Sequence, residues 1–341
     1  MMRVLRTLLV AALLGWAGMA FAQDKKLTLR VADFLPLNHY VAEYGLKFWM
    51  DSVTRATGGA VGFEYYPTEQ LGKAKDMLAL AQSGVADITY VVPSFVSEKM
   101  PLSAVAELPG GFFTSCAGSQ ALWSLIQKDG FLSQKEFQPN GVRVLFALVL
   151  SPYQIYTKNK FTSIRDLEGL KIYAAGGAKE LAVRRLKAVP IRMTGPEIYQ
   201  ALSRGTIDGM MSPPASLFPY NIQTVTKYGT VGENFGSYVA TYVISETKFK
   251  ELPPGVQKAM TEAGEATVTR ACALIDRDLD GYTDKLKQAG NTLLQIPASE
   301  RKEVDALMAS VGREWAEGLD KRGKPGSEAL KAFRDALKAG R

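Results

Sequence analysis

Residues 80–91, LAQSGVADITYV, decide the fold once they are set beside residues 201–212, ALSRGTIDGMMS. Both segments have the pattern of a helix, a glycine, two residues, an aspartate and then a strand. Glycine is common directly after a helix, and aspartate is common in turns. The repetition therefore predicts two similar lobes, with Asp87 and Asp208 in structural rather than chemical roles.

The rest of the chain alternates between strand-like and helix-like segments. Apolar alternation or β-branched apolar runs predict strands at residues 27–33, 60–67, 86–92, 141–150, 169–174 and 189–193, in addition to the strand that ends the second repeated segment. Segments with apolar residues three and four apart lie between them, and the chain from about Pro253 onward is mostly of this helical kind. Strands that alternate with helices predict α/β units with a largely parallel sheet.

The first 22 residues have the pattern of a secretory signal peptide. Arg3 and Arg6 precede an apolar run, and Ala20-Phe21-Ala22 is a cleavage site of the small-x-small type. The sequence predicts export to the periplasm, cleavage after Ala22 and a mature chain of 319 residues with no further segment that could span a bilayer. Removal of the two arginines lowers the formal charge from +7 to +5.

Several kinds of chemistry lack the residues that they need. His39 is the single histidine, so a histidine-based metal cluster is excluded, and no C-x-x-C, Walker-type, G-x-G-x-x-G or G-x-S-x-G motif occurs. Lysine and arginine are interspersed with acidic residues, which argues against a nucleic-acid surface. The sequence therefore favours a binding protein without metal or cofactor over an enzyme.

Candidate ligand contacts follow the predicted strands, because ligands of open α/β sheets bind at the carboxyl ends of the strands. Aromatic and hydroxyl side chains, which pack on and orient small molecules, occur there. They are Phe34, Ser94, Tyr153, Tyr173, Ser212 and Pro213. His39 follows the first strand and is either a further contact or a loop residue. Cys116 and Cys272 are the two cysteines, and the sequence leaves open whether they pair.

Several segments resemble the DctP-type solute-binding proteins of TRAP (tripartite ATP-independent periplasmic) transporters. The similar segments are, in chain order, LTLRVAD, YYPTEQLGKAKDMLALAQSGVADI, AELPGGF, FTSIRDLEGLKI, VPIRMTGPEIYQALSRGTIDGMMSPP and ELPPGVQKAMTEAG. Together they extend over nearly the whole mature chain.

The resemblance implies a two-lobed, periplasmic-binding-protein-like α/β fold with a hinge, central mixed sheets and long C-terminal helices. It puts residues 23–149 and 238–277 in lobe I, and residues 150–237 and 278–341 in lobe II. It also implies a receptor that captures a small organic solute, an organic acid or an aromatic or otherwise atypical compound, and delivers it to TRAP membrane permease subunits driven by an ion gradient. A periplasmic sensor module and an exported carboxylate-based enzyme are the alternatives.

The same resemblance shows where this sequence departs from the family. Members usually have an arginine after GLKI that pairs with the carboxylate of the ligand, and this sequence has Tyr173 there. A second arginine of some members falls near Tyr153, and an asparagine of others falls at Ser212. An aromatic residue of some members falls at Gly195, which would leave extra room in the site.

A buried carboxylate without a cation costs on the order of several kcal/mol. Either another cation binds it, with Arg192 as the first candidate and Lys179 or the helix N-terminus at residues 176–178 as substitutes, or the ligand is neutral or aromatic and contacts Tyr153 and Tyr173. The predicted ligand-binding residues are Phe34, His39, Ser94, Tyr153, Tyr173, Gly176, Arg192, Ser212, Pro213, Asn234 and Phe235.

Overall fold

The computed structural model describes residues 26–127 and 129–340. The predicted signal peptide and its cleavage site after Ala22 lie outside these residues. The described residues form eleven strands: β1 (Leu27–Ala32), β2 (Val61–Tyr66), β3 (Ile88–Val91), β4 (Val142–Val149), β5 (Gln154–Thr157), β6 (Lys171–Tyr173), β7 (Val189–Ile191), β8 (Gly209–Ser212), β9 (Tyr228–Thr230), β10 (Val239–Ser245) and β11 (Thr292–Leu294).

Nine α-helices occur in the same described residues: α1 (Lys47–Ala56), α2 (Met77–Ser83), α3 (Ser115–Ile126), α4 (Ala178–Arg185), α5 (Ile198–Arg204), α6 (Glu246–Glu251), α7 (Pro254–Gln288), α8 (Ala298–Asp320) and α9 (Gly326–Ala339). A 3₁₀-helix at Leu102–Glu107 also contributes to the site described below. None of the helices in this part of the chain combines the length and apolar content that crossing a bilayer needs.

The strands form two mixed sheets, which confirms the predicted α/β class. The strand order is β2-β1-β3-β10-β4 in the first sheet and β11-β9-β5-β8-β6-β7 in the second. Strands β1 to β3 are parallel, and so are β6 to β8, as the helix-strand alternation predicts. By contrast, β10 is antiparallel to β3 and β4, and β5 is antiparallel to β8 and β9. These two strands are the ones that the chain enters through residues 150–153 and 231–238.

The repeated sequence pattern forms the same structural unit in each sheet. Gly84 ends α2 and Gly205 ends α5 with φ angles of 72° and 73°, a left-handed conformation that favours glycine. The Asp87 carboxylate accepts the Arg30 N–H at 2.8 Å, and the Asp208 carboxylate accepts the Lys171 N–H at 2.8 Å. Each aspartate also donates its own N–H to the carbonyl of the same partner. Both aspartates therefore hold a strand in parallel register, which is a structural role.

Helix α7 leads from β10 of the first sheet to β11 of the second, and the other two connections between the sheets are residues 150–153 and 231–238. These two segments, called the crossing ribbon below, are hydrogen-bonded to each other. The Leu150 N–H donates to the Tyr238 carbonyl at 2.9 Å, and the Tyr153 N–H donates to the Gly236 carbonyl at 2.8 Å. The ribbon therefore joins the two sheets, and the division of the chain into lobe I and lobe II, which the resemblance implies, stays a prediction.

The C-terminal helices pack on both sheets. The indole N–H of Trp49 in α1 donates to the carbonyl of Met260 in α7 at 3.2 Å. Further along α7, the ring of Tyr282 packs against that of Phe218, which follows strand β8 of the second sheet, with 5.7 Å between the ring centroids. The predicted boundary between residues 277 and 278 therefore falls inside one continuous helix. Helix α8 packs against α4, whereas α9 packs against α3. The chain after residue 278 thus contacts elements of both predicted lobes.

Helix α7 holds the N-terminus of α3 by two adjacent groups. Cys272 of α7 forms a disulfide with Cys116 of α3, which settles the alternative that the sequence left open. One turn further along α7, the Asp276 carboxylate accepts the Ser115 N–H at 2.6 Å and the Cys116 N–H at 2.9 Å. A carboxylate at these N–H groups satisfies donors that have no partner within the helix.

We expect the disulfide to contribute substantially to stability, because it closes a loop with a sequence separation of 156 residues. Replacing Cys116 and Cys272 together with serine should lower the free energy of unfolding by about 2 to 5 kcal/mol. Urea unfolding followed by circular dichroism measures the change, and wild-type protein treated with a reductant serves as the matched control. Equal unfolding midpoints for the oxidised wild type and the double variant would contradict this expectation.

Candidate functional site

A cavity of about 50 Å³ lies between the two sheets, next to the crossing ribbon. Six of the predicted ligand-binding residues line it: Phe34, His39, Tyr153, Tyr173, Ser212 and Pro213. Phe34 follows β1, Tyr173 ends β6 and Ser212 ends β8. These residues meet because the carboxyl ends of parallel strands from both sheets face the same space.

The other five predicted residues lie outside the lining of this cavity. The Ser94 hydroxyl donates to the Glu107 carboxylate at 3.1 Å, the Asn234 amide donates to the Phe112 carbonyl, and Phe235 is buried in the core. At Gly176, a Cβ atom would lie 3.0 Å from the Ser94 carbonyl oxygen. The absence of a side chain at Gly176 therefore allows the backbone of Ser94 to approach closely, and it does not make room for a ligand.

Arg192 is not a cation of the cavity, which corrects its position as first candidate. Its Nε donates to the Glu180 carboxylate at 2.7 Å, and its side chain is 55% exposed. Glu180 lies on α4, so this ion pair joins α4 to the residue that directly follows β7. The substitute candidate Lys179 is buried instead and is described below.

The structure adds lining residues that sequence reasoning did not select. They are Leu35, Tyr90, Leu150, Ile198, Met210, Met211, Ser216, Tyr220, Ile222 and Tyr238, and the lining also includes Gly195, which the resemblance had placed in the site. Tyr90 lies within β3 and Tyr238 directly precedes β10, a strand that the sequence did not predict, so the rule on carboxyl ends of strands selects neither. Tyr220 follows a 3₁₀-turn, and no sequence signal distinguishes it from a surface tyrosine.

Tyr220 also fills the space that the glycine at position 195 was expected to leave. A Cβ atom on Gly195 would lie 3.2 Å from the Tyr220 hydroxyl. The ring of Tyr220 packs edge-on against His39, with 5.8 Å between the ring centroids. The glycine thus accommodates an aromatic side chain from elsewhere in the chain, and the site does not gain room.

Aromatic rings continue from the cavity into the first sheet's core. Phe34 stacks on Tyr90, Tyr90 on Tyr242, and Tyr242 on Phe146, each with 4.8 Å between ring centroids. Such stacking adds to the free energy gained by burial of each ring. Phe34 is therefore held from behind and presents a rigid apolar face to the cavity.

The lining carries no charged side chain among the described residues. Burial lowers the pKa of His39 to about 3, so its ring stays neutral and accepts the Val41 N–H at Nδ1. Burial also raises the pKa of the Tyr153, Tyr173 and Tyr220 hydroxyls. These phenols therefore remain protonated hydrogen-bond donors at any physiological pH.

A buried ion pair stands behind two of the lining tyrosines. The Lys179 ammonium lies 2.9 Å from the Glu107 carboxylate, and both side chains are fully buried. The ammonium lies 4.8 Å from the ring centroid of Tyr238 and 5.6 Å from that of Tyr153. Burial lowers the pKa of Lys179, and Glu107 acts in the opposite direction. The pair joins α4 to the 3₁₀-helix that ends at Glu107.

The arrangement supports the binding of a small molecule. A search of the described residues finds no group of three or more histidine, cysteine, aspartate or glutamate side chains that could hold a metal ion. The lining provides one apolar ring, several phenol donors and two serine hydroxyls, from Ser212 and Ser216. Such a set orients a small, partly aromatic molecule by packing and by neutral hydrogen bonds.

Comparison with known proteins identifies similar chains. A family model described as bacterial extracellular solute-binding protein, family 7, matches residues 32–318. The C4-dicarboxylate-binding periplasmic protein DctP of Rhodobacter capsulatus is 26% identical over 294 residues, which cover 82% of each chain.

Solved structures are similar over almost the whole chain. A TRAP solute-binding protein from Rhodoferax ferrireducens, in complex with copurified benzoate, has a TM-score of 0.84 and 26% identity and covers 92% of this chain and 98% of its own. A marine metagenome TRAP solute-binding protein, specific for aromatic acid ligands, has a TM-score of 0.85 at 24% identity, with 92% and 98% covered. The second likeness concerns the fold alone.

The carboxyl of Asp33, next to Phe34, gives a test of the electrostatics beside the cavity. It is fully buried and accepts hydrogen bonds from the Tyr242 hydroxyl at 2.5 Å, the Tyr65 hydroxyl at 3.1 Å and the Leu35 N–H at 2.8 Å. Burial raises its pKa from 3.8 to about 6, although these hydrogen bonds act in the opposite direction. Folding therefore favours the protonated form.

The contribution of Asp33 to the free energy of unfolding should be fully present below about pH 4 and lost as the pH rises through about 6. Asp33→Asn is neutral at every pH, so we expect it to gain up to about 3 kcal/mol relative to wild type between about pH 4 and pH 7. Urea unfolding at both pH values measures this. Asp51→Asn on the exposed face of α1 is the control, and a pH-independent difference for Asp33→Asn would contradict the assignment.

Proposed function

This chain belongs to family 7 of the bacterial extracellular solute-binding proteins, and on that premise we propose that it captures a small aromatic organic acid between its two lobes. The observation that carries the proposal is the cavity itself, which combines the apolar face of Phe34 with the phenol groups of Tyr153, Tyr173, Tyr220 and Tyr238. Aromatic walls favour a flat ring, and protonated phenols favour an acceptor group such as a carboxylate.

The relative that contains copurified benzoate supports this class of ligand, since that protein shares 26% identity and nearly full-length coverage with this chain. The size of the cavity is consistent with a receptor that opens to admit its ligand. An apolar cavity of about 150 Å³ accommodates benzene, and the cavity here has about 50 Å³. An aromatic acid therefore requires the walls to move apart.

We further propose that the loaded receptor delivers its solute to a TRAP membrane permease after export to the periplasm. The TRAP relatives and the signal-peptide pattern of residues 1–22 support this step. Binding without turnover is the expected chemistry, since the lining presents phenols and serines rather than a nucleophile paired with a base.

A panel of ligands tests the function directly. We expect benzoate, 3-hydroxybenzoate or mandelate to bind with a Kd in the micromolar range or tighter and to raise the Tm by mass action. Isothermal titration calorimetry and thermal unfolding measure both, with succinate and glucose as non-aromatic comparisons. Mass spectrometry of the solute released by denaturing natively purified protein gives an independent answer. A folded protein that binds none of the aromatic acids and releases none would overturn the proposal.

Tyr173 provides the sharpest single-residue test of the cavity. Tyr173→Ala removes a buried aromatic contact and should weaken benzoate binding by about tenfold or more. Tyr173→Phe retains the ring and loses the hydroxyl, so a smaller loss of roughly three- to tenfold is expected. The half-exposed Tyr199 on α5 is the matched control, and Tyr199→Ala should bind benzoate like wild type. Unchanged affinity in Tyr173→Ala would place the ligand elsewhere.

A further inference from the structure

The buried pair of Lys179 and Glu107 has an unused hydrogen-bonding capacity beside the cavity. A lysine ammonium carries three N–H donors. Two of them have acceptors in the structure, the Glu107 carboxylate at 2.9 Å and the Ser94 hydroxyl at 3.2 Å. The ammonium is otherwise close to the rings of Tyr238 and Tyr153. One donor is therefore available on the side of the two rings that line the cavity.

Glu107 is held in place by contacts other than the lysine. The same carboxylate oxygen, Oε1, accepts the Ser94 hydroxyl at 3.1 Å and the Val239 N–H at 3.2 Å. Its second oxygen, Oε2, is buried without a hydrogen-bond partner among the described residues. The carboxylate thus fixes the ammonium, and among the described residues the Glu107 carboxylate and the Ser94 hydroxyl are the acceptors assigned to it.

No other cation of the described residues can serve the cavity. Lys179 is the single lysine or arginine that is buried in this part of the chain. Arg192 is exposed and paired with Glu180. A carboxylate that enters the cavity loses its hydration and needs a charged or strongly donating partner in return. The rings of Tyr153 and Tyr238, which line the cavity, lie between the Lys179 ammonium and the position of that carboxylate.

We propose that Lys179 determines the ligand specificity of this receptor by binding the carboxylate of the organic acid with its third N–H, between the rings of Tyr153 and Tyr238. The proposal rests on the function proposed above. The rings must separate for this contact, as the walls must for any aromatic ligand. The Tyr153 and Tyr173 hydroxyls then donate to the same carboxylate, and Glu107 keeps the ammonium in position from behind.

The two halves of the ion pair consequently have opposite effects on an acid. Lys179 attracts the carboxylate of the ligand, whereas Glu107 repels it and competes for the same ammonium. Lys179→Met should weaken benzoate binding by about tenfold or more, the loss expected when a hydrogen bond to a charged group is removed. Glu107→Gln retains an acceptor for Val239 and removes this repulsion, but it also removes the charge that favours the protonated form of Lys179. It should therefore bind benzoate more weakly than wild type and keep its affinity for the neutral amide.

Comparing the affinity for each acid with the affinity for its neutral amide separates recognition of the charge from general effects on folding or closure. We would titrate wild type, Lys179→Met and Glu107→Gln with benzoate and benzamide and with mandelate and mandelamide, by calorimetry. The expected result is a preference of wild type for acid over amide that Lys179→Met loses, with its amide affinity changed less than threefold. Lys187→Met, at an exposed lysine paired with Glu168, is the matched control and should keep the preference.

The double variant Lys179→Met/Glu107→Gln guards against a folding defect, because it leaves no unpaired charge in the core. It should fold and should also lack the preference for acids. The proposal is overturned if Lys179→Met or the double variant still prefers the acid, or if Glu107→Gln loses acid and amide affinity alike, as a purely structural ion pair would require. Wild-type protein that binds none of the acids would instead refute the proposed function, and this inference with it.

Discussion

The structure depends on the crossing ribbon, the pair of hydrogen-bonded segments that join the two sheets. Glu107 is bonded to this ribbon and to the strand that follows it, because its carbonyl accepts the Ser237 N–H at 3.1 Å and its carboxylate accepts the N–H of Val239, the first residue of β10, at 3.2 Å. Lys179 of the second sheet's side is in turn attached to Glu107. Two tyrosines of the ribbon, Tyr153 and Tyr238, form cavity wall on one side and contact the ammonium on the other. The crossing ribbon therefore determines the geometry of the ligand cavity as well as connecting the two lobes.

Local sequence patterns predicted the fold to a large extent, because its units are local. The repeated segments around Asp87 and Asp208 form equivalent turns. Family membership and the two-lobed α/β class are confirmed by the family match and the solved relative. The antiparallel strands β5 and β10 were not predicted, since their direction follows from the crossings. A pairing of distant strands leaves little trace in the spacing of apolar residues.

The site was predicted where it depends on strand ends, and missed where it depends on tertiary contacts. Phe34 and Tyr173 follow from the rule that ligands bind at the carboxyl ends of strands. Tyr220 fills the space beside Gly195 from another part of the chain, which no local pattern encodes. Arg192 and Lys179 are equally basic in the sequence, and only the fold shows that Glu180 holds the first at the surface and Glu107 the second in the core.

The position of β10 in the first sheet has a consequence for how this chain can be built or divided. In that sheet β10 lies between β3 and β4, and β4 has no other strand neighbour. The ribosome completes β4 at residue 149 and reaches β10 only at residue 239, so the first sheet stays open until most of the second has been synthesised. A fragment that ends at residue 149 would expose two unpaired strand edges, which invites aggregation. To produce the first lobe alone, the gene would have to encode a short linker in place of residues 150–238, the segment between β4 and β10.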